Sequence, residues 1–235
     1  MTLSFQRQAQ QIKRMIVQLG ALVEESVERS IRAIETRDCE LAEAVVRDEP
    51  TIDRFEVEVE EQCLQTLALY QPVADNLRFL IVVIKINKDL ERIADLAANM
   101  AKQAMFLADL PPLERFPFDL DCQTQRVRNM LQRSLDALVN ADSRLAEEVR
   151  VMDIEVDEVH RTTYERVQEG ILKSPQDVDR LIHLLNISRQ LERIADLTVN
   201  IAEDVLYYTQ GKIHRHQRIF QSDEQQKSER RQKSS

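Results

Sequence analysis

The acidic residues of this 235-residue sequence recur at a spacing that could bind metal ions. The five-residue sequence ERIAD occurs at residues 91–95 and again at residues 192–196, and each copy places a glutamate four residues before an aspartate. On an α-helix, residues four apart lie on the same face. The positions one heptad away are apolar, as Ile84 and Ala98 are around Glu91. An anion in such a row needs a basic side chain or a cation as its partner, because an unpaired buried charge is costly.

One further acidic pair with this spacing occurs in each half of the sequence, at residues 49–53 and 153–157. The two pairs are 104 residues apart, close to the 101-residue offset between the ERIAD copies, so they occupy equivalent places in a duplicated sequence. Two adjacent helices that each present acids at i and i+4 bring four carboxylates together. With no Lys or Arg in these rows, such a cluster indicates bound metal ions or raised pKa values. The alternative is a solvated acidic face, or salt bridges to Arg92 and Arg193, although these lie about 100° around the helix from the glutamates.

All of these candidate ligands are carboxylate oxygens. Oxygen ligands suit Mg, Mn, Ca or ferrous and ferric iron, and they argue against a closed structural zinc site. His160 follows Asp157 by three residues and could add a nitrogen ligand, and its repeat counterpart is Glu56. A lone helical histidine is more often a partly exposed surface residue, and this interpretation of His160 is favoured.

Composition and charge narrow the class of protein. Three glycines, no tryptophan and 31% charged residues indicate long helices. The net charge is −9, but the segment from Lys212 onward contributes +4, so residues 1–211 carry −13. A body this acidic argues against nucleic-acid binding and favours cations. No apolar run reaches the roughly 18 residues of a membrane span, and we expect a cytoplasmic protein.

Apolar residues at three-to-four spacing predict an all-α fold of six long helices, arranged as two tandem homologous three-helix bundles. The expected helices are at about 4–36, 40–69, 75–107, 121–140, 144–168 and 175–209. The first bundle spans residues 1–110 and the second residues 118–211, and the polar, basic segment 212–235 is expected to be disordered.

Single residues predict details of these helices. Gly20 marks a close helix contact, and Pro50 kinks the second helix. Asp75 or Asn76 is the expected N-cap of the third helix. Ser174 and Pro175 are expected to form the N-cap and first turn of the sixth helix, and Gly170 and Gly211 should end the last two helices.

Taken together, these residues resemble the PhoU family of phosphate-transport regulators over almost all of residues 5–215. The resemblance rests on QPVA at residues 71–74 ahead of Leu77 and Arg78, on the two ERIAD sequences, and on the acidic pair upstream of each. It implies two homologous three-helix bundles that bind multinuclear metal clusters (Mg, Mn or Fe). The implied ligands are Glu49, Asp53, Glu91 and Asp95 for one cluster and Asp153, Asp157, Glu192 and Asp196 for the other.

The resemblance also implies a non-enzymatic role. Members of the family repress the phosphate-starvation response by linking the ATPase of a phosphate ABC transporter to a membrane sensor histidine kinase. A homodimer and peripheral membrane contact are compatible with this role, and no nucleic acid is expected. The sequence departs from the family pattern at Asn76, where an aspartate is usual, and at Pro50, which lies inside the first acidic pair.

Two other functions compete with this interpretation. A di-iron carboxylate enzyme would use two Glu-x-x-His motifs in one four-helix core, whereas here only Asp157 and His160 have such a spacing and the acids are divided between two bundles. A purely structural helical protein would bind no metal, and chelators would leave its melting temperature unchanged. No nucleophile–base arrangement or phosphate-binding glycine loop is present.

Overall fold

The computed structural model describes residues 3–112 and 119–212. Six long α-helices account for nearly all of these residues, and no strand occurs in the two described ranges. The helices are α1 (Leu3–Thr36), α2 (Cys39–Tyr70), α3 (Ala74–Ala108), α4 (Leu120–Asn140), α5 (Ser143–Lys173) and α6 (Val178–Gln210). The predicted all-α fold of two three-helix bundles is therefore confirmed, with α1–α3 in the first bundle and α4–α6 in the second. The predicted disordered tail lies outside the described residues, except for Lys212.

Aspartates begin three of the helices. Each lies at the N-cap and accepts a hydrogen bond from a backbone N–H of the first turn, which satisfies a donor that the helix leaves unpaired. These residues are Asp38 before α2, Asp119 before α4 and Asp142 before α5.

The third helix begins differently from the prediction. Its first residue is Ala74, so Asp75 and Asn76 lie inside the helix and the predicted N-cap is wrong. The N-cap residue is Val73, which follows Pro72 in an extended conformation and whose side chain makes no capping hydrogen bond. The side chain of Val73 thus does not cap the first N–H groups of α3.

Of the two glycines predicted to end a helix, only one does so. Gly211 has φ 71°, in the left-handed region, and ends α6 as expected. Gly170 does not end α5, which continues to Lys173. A Cβ at Gly170 would lie 3.2 Å from Leu181 Cδ1 on α6, so this glycine allows close helix packing.

The α5 helix ends instead with Ser174 as its C-cap, because a residue before proline is disfavoured in the helical conformation. Ser174 forms no capping bond, and the turn Pro175–Asp177 is a short 3₁₀-helix ahead of α6.

The two bundles pack against each other through α3 and α6, which are antiparallel. At one end of this interface Phe79 and Tyr208 have ring centroids 5.8 Å apart, and further along Lys85 Nζ lies 2.6 Å from Asp204 Oδ1. A second contact joins α1 to α4, where a Cβ at Gly20 would lie 2.8 Å from a methyl group of Leu135, so the close helix contact predicted from this glycine is confirmed. One buried apolar cluster consequently runs through both bundles.

Candidate metal centres

The first acidic cluster joins α2 and α3. Glu49 and Asp53 are four residues apart on one face of α2, and Asp95 faces them from α3. One carboxylate oxygen from each residue lies within 4.8 Å of the other two. Pro50 lies inside α2, between the two α2 ligands, and they nevertheless converge on Asp95.

Burial and the neighbouring negative charges raise the pKa of two members of this cluster, Glu49 and Asp53. Burial raises the pKa of Glu49, and the charge of Asp53 and a hydrogen bond with Asp95 raise it further. Burial also raises the pKa of Asp53, followed by the charges of Asp95 and Glu91, and the Oδ1 atom of Asp53 is buried without a hydrogen-bond partner. The cluster is thus short of positive charge.

A lysine that the sequence pattern did not reveal compensates part of this charge. Lys88 Nζ lies 2.9 Å from Glu91 Oε2, and the lysine lowers the pKa of Asp53. The expectation that no basic residue faces the acidic rows is therefore wrong, because residues three apart on α3 are neighbours. This ion pair engages Glu91, which lies outside the close triad of Glu49, Asp53 and Asp95.

The second acidic cluster joins α5 and α6 in the same way. Asp153 and Asp157 on α5 and Asp196 on α6 each place one carboxylate oxygen within 4.8 Å of the others. Burial raises the pKa of Asp196 to about 6, together with the charges of Glu192, Asp153 and Asp157. Glu192 acts on this cluster through its charge but is not one of the three closest residues.

The second cluster lacks the lysine found beside the first. The repeat counterparts of Lys88 and Glu91 are Arg189 and Glu192, and within the described ranges no ion pair joins them. Arg193 lowers the pKa of Asp196 only partly, since its effect is smaller than those of burial and the neighbouring acids. The second cluster is therefore the one with the less compensated negative charge.

Polar pairs occupy equivalent places beside the two clusters. In the first bundle Asn87 Nδ2 donates to Glu56 Oε1 at 3.1 Å, and in the second His160 Nδ1 lies 3.1 Å from Ser188 Oγ. His160 is half-buried and contacts the hydroxyl of Ser188, and it is not part of the acidic triad. The fully buried Asn87 was missed by the sequence analysis, although a polar residue within the apolar stretch of α3 is a signal of such a pair.

The donor set determines what these clusters can bind. Each supplies three carboxylates from two helices, with no sulfur or nitrogen atom among the three. Clustered carboxylates bind hard cations such as Mg, Mn, Ca or iron, and a cation would supply the positive charge that the raised pKa values and the unpartnered Asp53 oxygen indicate is missing. The residues therefore fit a metal ion in each bundle, although acidic groups alone do not identify one.

Within the described residues, none of the helices combines the length and apolar character that crossing a membrane requires.

Comparison with known proteins assigns both halves to one domain type. The model of the PhoU domain matches residues 16–104 and again residues 124–205. A phosphate-specific transport system accessory protein PhoU homolog from Aquifex aeolicus (strain VF5) is 34% identical over 93% of this chain and 98% of that protein. A homolog of the same name from Pseudomonas aeruginosa is 31% identical, over 90% of this chain and 88% of that protein.

Solved structures show the same fold. The crystal structure of PhoU from Pseudomonas aeruginosa superposes with a TM-score of 0.86 at 31% identity and covers 88% of this chain and 100% of that chain. The phosphate transport system regulatory protein PhoU from Streptococcus pneumoniae gives a TM-score of 0.80 at 26% identity and covers 89% of this chain and 98% of that chain. The duplication inferred from the ERIAD sequences is thus a duplication of the PhoU domain.

Proposed function

Because this chain belongs to the PhoU family, we propose that it is a cytoplasmic, non-enzymatic regulator of phosphate uptake that binds metal ions through its two acidic clusters. Its relatives are named accessory proteins of the phosphate-specific transport system, which supports a regulatory role over a catalytic one. The observation that carries the metal-binding part is the recurrence of the same acidic triad at the same place in both bundles. A solvated acidic face would not require the triad to recur across helix pairs in this way.

The ligands that we propose are the eight residues of the two acidic motifs. The closest in the first bundle are Glu49, Asp53 and Asp95, with Glu91 next to them and paired to Lys88. The second set is Asp153, Asp157 and Asp196, with Glu192 next to them. When bound, Mg, Mn or Fe would supply the positive charge that the clustered carboxylates lack.

The regulatory step that we propose is repression of the phosphate-starvation response, through contacts with the ATPase of a phosphate transporter and with a membrane sensor histidine kinase. Residues 1–211 carry −13, so bound cations would change the charge of the surface offered to those partners. The competing di-iron enzyme is disfavoured, because the triads belong to different bundles and His160 contacts Ser188.

The test is the double variant Asp95→Asn and Asp196→Asn, expressed in cells that carry a phosphate-controlled reporter. We expect the reporter to be active in phosphate-rich medium, and purified protein to have lost nearly all bound metal while its circular dichroism remains helical. The matched control is Glu158→Gln with Glu165→Gln, which removes two exposed carboxylates of α5 that pair with Arg161. Normal repression by a metal-free double variant would refute a regulatory role for the metal. A metal content equal to that of the wild-type protein would refute these residues as ligands.

A further inference from the structure

Exposed aliphatic side chains crowd one end of the first bundle. We call the start of α1 (residues 3–8), the end of α2 with the α2–α3 turn (residues 66–73) and the first two turns of α3 (residues 74–81) the first-bundle tip. Leu3, Leu69 and Val73 are 77%, 77% and 74% exposed, and Leu77 and Ile81 are each 40% exposed. A cluster of aliphatic side chains on a solvent-exposed surface indicates an interaction site, whereas single exposed leucines do not.

The tip is held in one conformation by packing beneath it. The hydroxyl oxygens of Ser4 and Tyr70 are 2.6 Å apart, and the rings of Phe5 and Tyr70 meet edge to face at 5.8 Å. Gln71 and Ala74 adopt positive φ angles of 43° and 51° and so define a tight turn between α2 and α3. Leu69 and Val73 are therefore displayed by a fixed turn, and exposing them does not depend on local unfolding.

The tip lies beyond the end of α4 but adjoins the end of α6. The end of α4, at Leu138 and Ala141, lies beside Val17 of α1 and Phe79 of α3, with which it lines a cavity of about 40 Å³. Because a helix rises about 1.5 Å per residue, Leu3 lies roughly 20 Å beyond Val17 along α1, and Val73 lies roughly 9 Å beyond Phe79 along α3. The end of α6 reaches the tip itself, since a Cβ at Gly211 would lie 3.1 Å from Nη2 of Arg78.

The charge at the tip is opposite to that of the body. Residues 3–14 contain no acidic residue, and Arg7 lies within the tip, whereas residues 1–211 as a whole carry −13. The acid in the turn region, Asp75, forms an ion pair with Arg78 at 3.3 Å.

Acidic groups of the two other tip helices are distant. Residues 62–74 contain no Asp or Glu, so Glu61 on α2 lies about 12 Å from Leu69 along the helix axis. Asp95 of the first acidic cluster lies roughly 33 Å from Val73 along α3. Both distances exceed the Debye length of about 8 Å at physiological ionic strength, so an anionic surface at the tip would experience mainly its cations.

We propose that the first-bundle tip docks on an anionic lipid surface, with Leu69 and Val73 entering the boundary between headgroups and acyl chains. Arg7 of α1 would attract the anionic headgroups. The large apolar side chains that the tip exposes are aliphatic, whereas the strongest contacts in protein interfaces come mainly from Trp, Tyr and Arg, and this favours lipid over a protein groove. The inference goes beyond the proposed function and is independent of metal binding.

This orientation resolves the repulsion between an acidic protein and an acidic membrane. With α1–α3 standing end-on, both acidic clusters lie more than about 20 Å from the tip along α3 and α6 and stay free for partners. Membrane contact through the tip also differs from attraction by the basic segment after Gly211, and the two can be separated by truncation.

Tryptophan fluorescence tests insertion directly, because the chain contains no tryptophan. The variant is Val73→Trp, and the matched control is Leu172→Trp, which replaces the 78% exposed penultimate residue of α5, the equivalent of Leu69 in the second bundle. With vesicles of equal parts phosphatidylglycerol and phosphatidylcholine, we expect blue-shifted emission and quenching by lipid-bound quenchers for Val73→Trp alone. Unchanged emission at Val73, or an equal shift in the control, would overturn the proposal.

Vesicle co-sedimentation of the full-length chain provides a second test. Leu69→Asp with Val73→Asp should weaken partition to these vesicles by at least about ten-fold, since each buried aliphatic side chain contributes about one order of magnitude or more. The Leu172→Asp variant should bind these vesicles as the wild-type protein does. The chain truncated after Gly211 should keep most of its vesicle binding and lose only a smaller, salt-sensitive part. Loss of all binding on truncation would assign the contact to the tail and overturn the proposal. Loss of repression by the Leu69/Val73 variant with unchanged vesicle binding would identify the tip as a protein-docking surface, which also overturns it.

Discussion

Replacing Asp196 by asparagine should change the stability of the metal-free and the metal-bound protein in opposite directions. The folded protein raises the pKa of Asp196 from 3.8 to about 6, through burial and then through Glu192, Asp153 and Asp157. At pH 7.5 the carboxylate is ionised in the folded and the unfolded protein, and its charge is less favourable in the folded one. Asparagine removes this charge while keeping the shape of the side chain, so the metal-free variant should be more stable than the metal-free wild-type protein.

The size of this gain follows from the pKa shift. About two pKa units at roughly 1.4 kcal/mol each correspond to about 3 kcal/mol. The Asp196 residue is exposed by its accessible surface, so screening by solvent and salt reduces the expected gain to about 1 kcal/mol. For a protein of this length, such a gain corresponds to a rise of about 2–4 °C in melting temperature.

The pH dependence has a defined sign. Between the unfolded pKa of 3.8 and the folded value of about 6, the folded wild-type protein binds more protons than the unfolded one, so its stability falls as pH rises through this range. The difference between the Asp196→Asn variant and the wild-type protein should therefore be full above pH 6, shrink below it and vanish near pH 4.

The assay is thermal unfolding followed by circular dichroism, with chelator and with saturating Mn or Mg. Metal should raise the melting temperature of the wild-type protein, since a ligand that binds only the folded state stabilises it, and should raise that of the variant less. The control is Glu158→Gln on α5, where an Arg161 hydrogen bond lowers the pKa of the carboxyl, so that removing the charge gives no gain. A metal-free variant no more stable than the wild-type protein at pH 7.5, or a gain that persists at pH 4, would refute this reasoning.

Three further predictions test the ion pairs and the duplication. Lys85→Met should lower the free energy of unfolding, measured by urea titration, by about 2 kcal/mol, because the buried Asp204 carboxylate loses its lysine. Adding Asp204→Leu should recover much of this loss. A neutral effect of the single change would contradict this. Lys88→Met should lower the melting temperature of the metal-free protein and enlarge the rise that metal produces, since this lysine compensates the first cluster; an unchanged rise would argue against that role. Asp95→Ala and Asp196→Ala should each lose roughly half of the bound metal measured by plasma mass spectrometry, and loss of all metal from either would indicate one shared site.

The fold was predictable from the sequence because its determinants are local. The apolar periodicity and near absence of glycine specify long helices, and their predicted limits agree with the structure to within a few residues at most ends. Two predicted details, the role of Gly170 and the N-cap of α3, differ from the structure. Gly170 resembles a helix stop, yet its role is set by the approach of Leu181 from α6, which no local pattern contains. The N-cap of α3 was misassigned because Val73 occupies it without the side-chain hydrogen bond by which caps are recognised.

For the acidic clusters, the sequence determined which residues are involved. Spacing of i and i+4 places two acids on one helix face, and the repeat offset pairs the motifs of the two halves, because both properties depend on position along the chain. Whether those acids bind metal stays a prediction.

Only the tertiary structure decided how each carboxylate is compensated. Helix packing brings Asp95 to Glu49 and Asp53 and pairs Lys88 with Glu91, whereas the second bundle leaves Glu192 without such a lysine and raises the pKa of Asp196 to about 6. The exposure of Leu69 and Val73 at the tip likewise depends on how the helix ends pack together. Distances across helices and the burial of each group set these energies, and neither quantity is a property of one segment of the sequence.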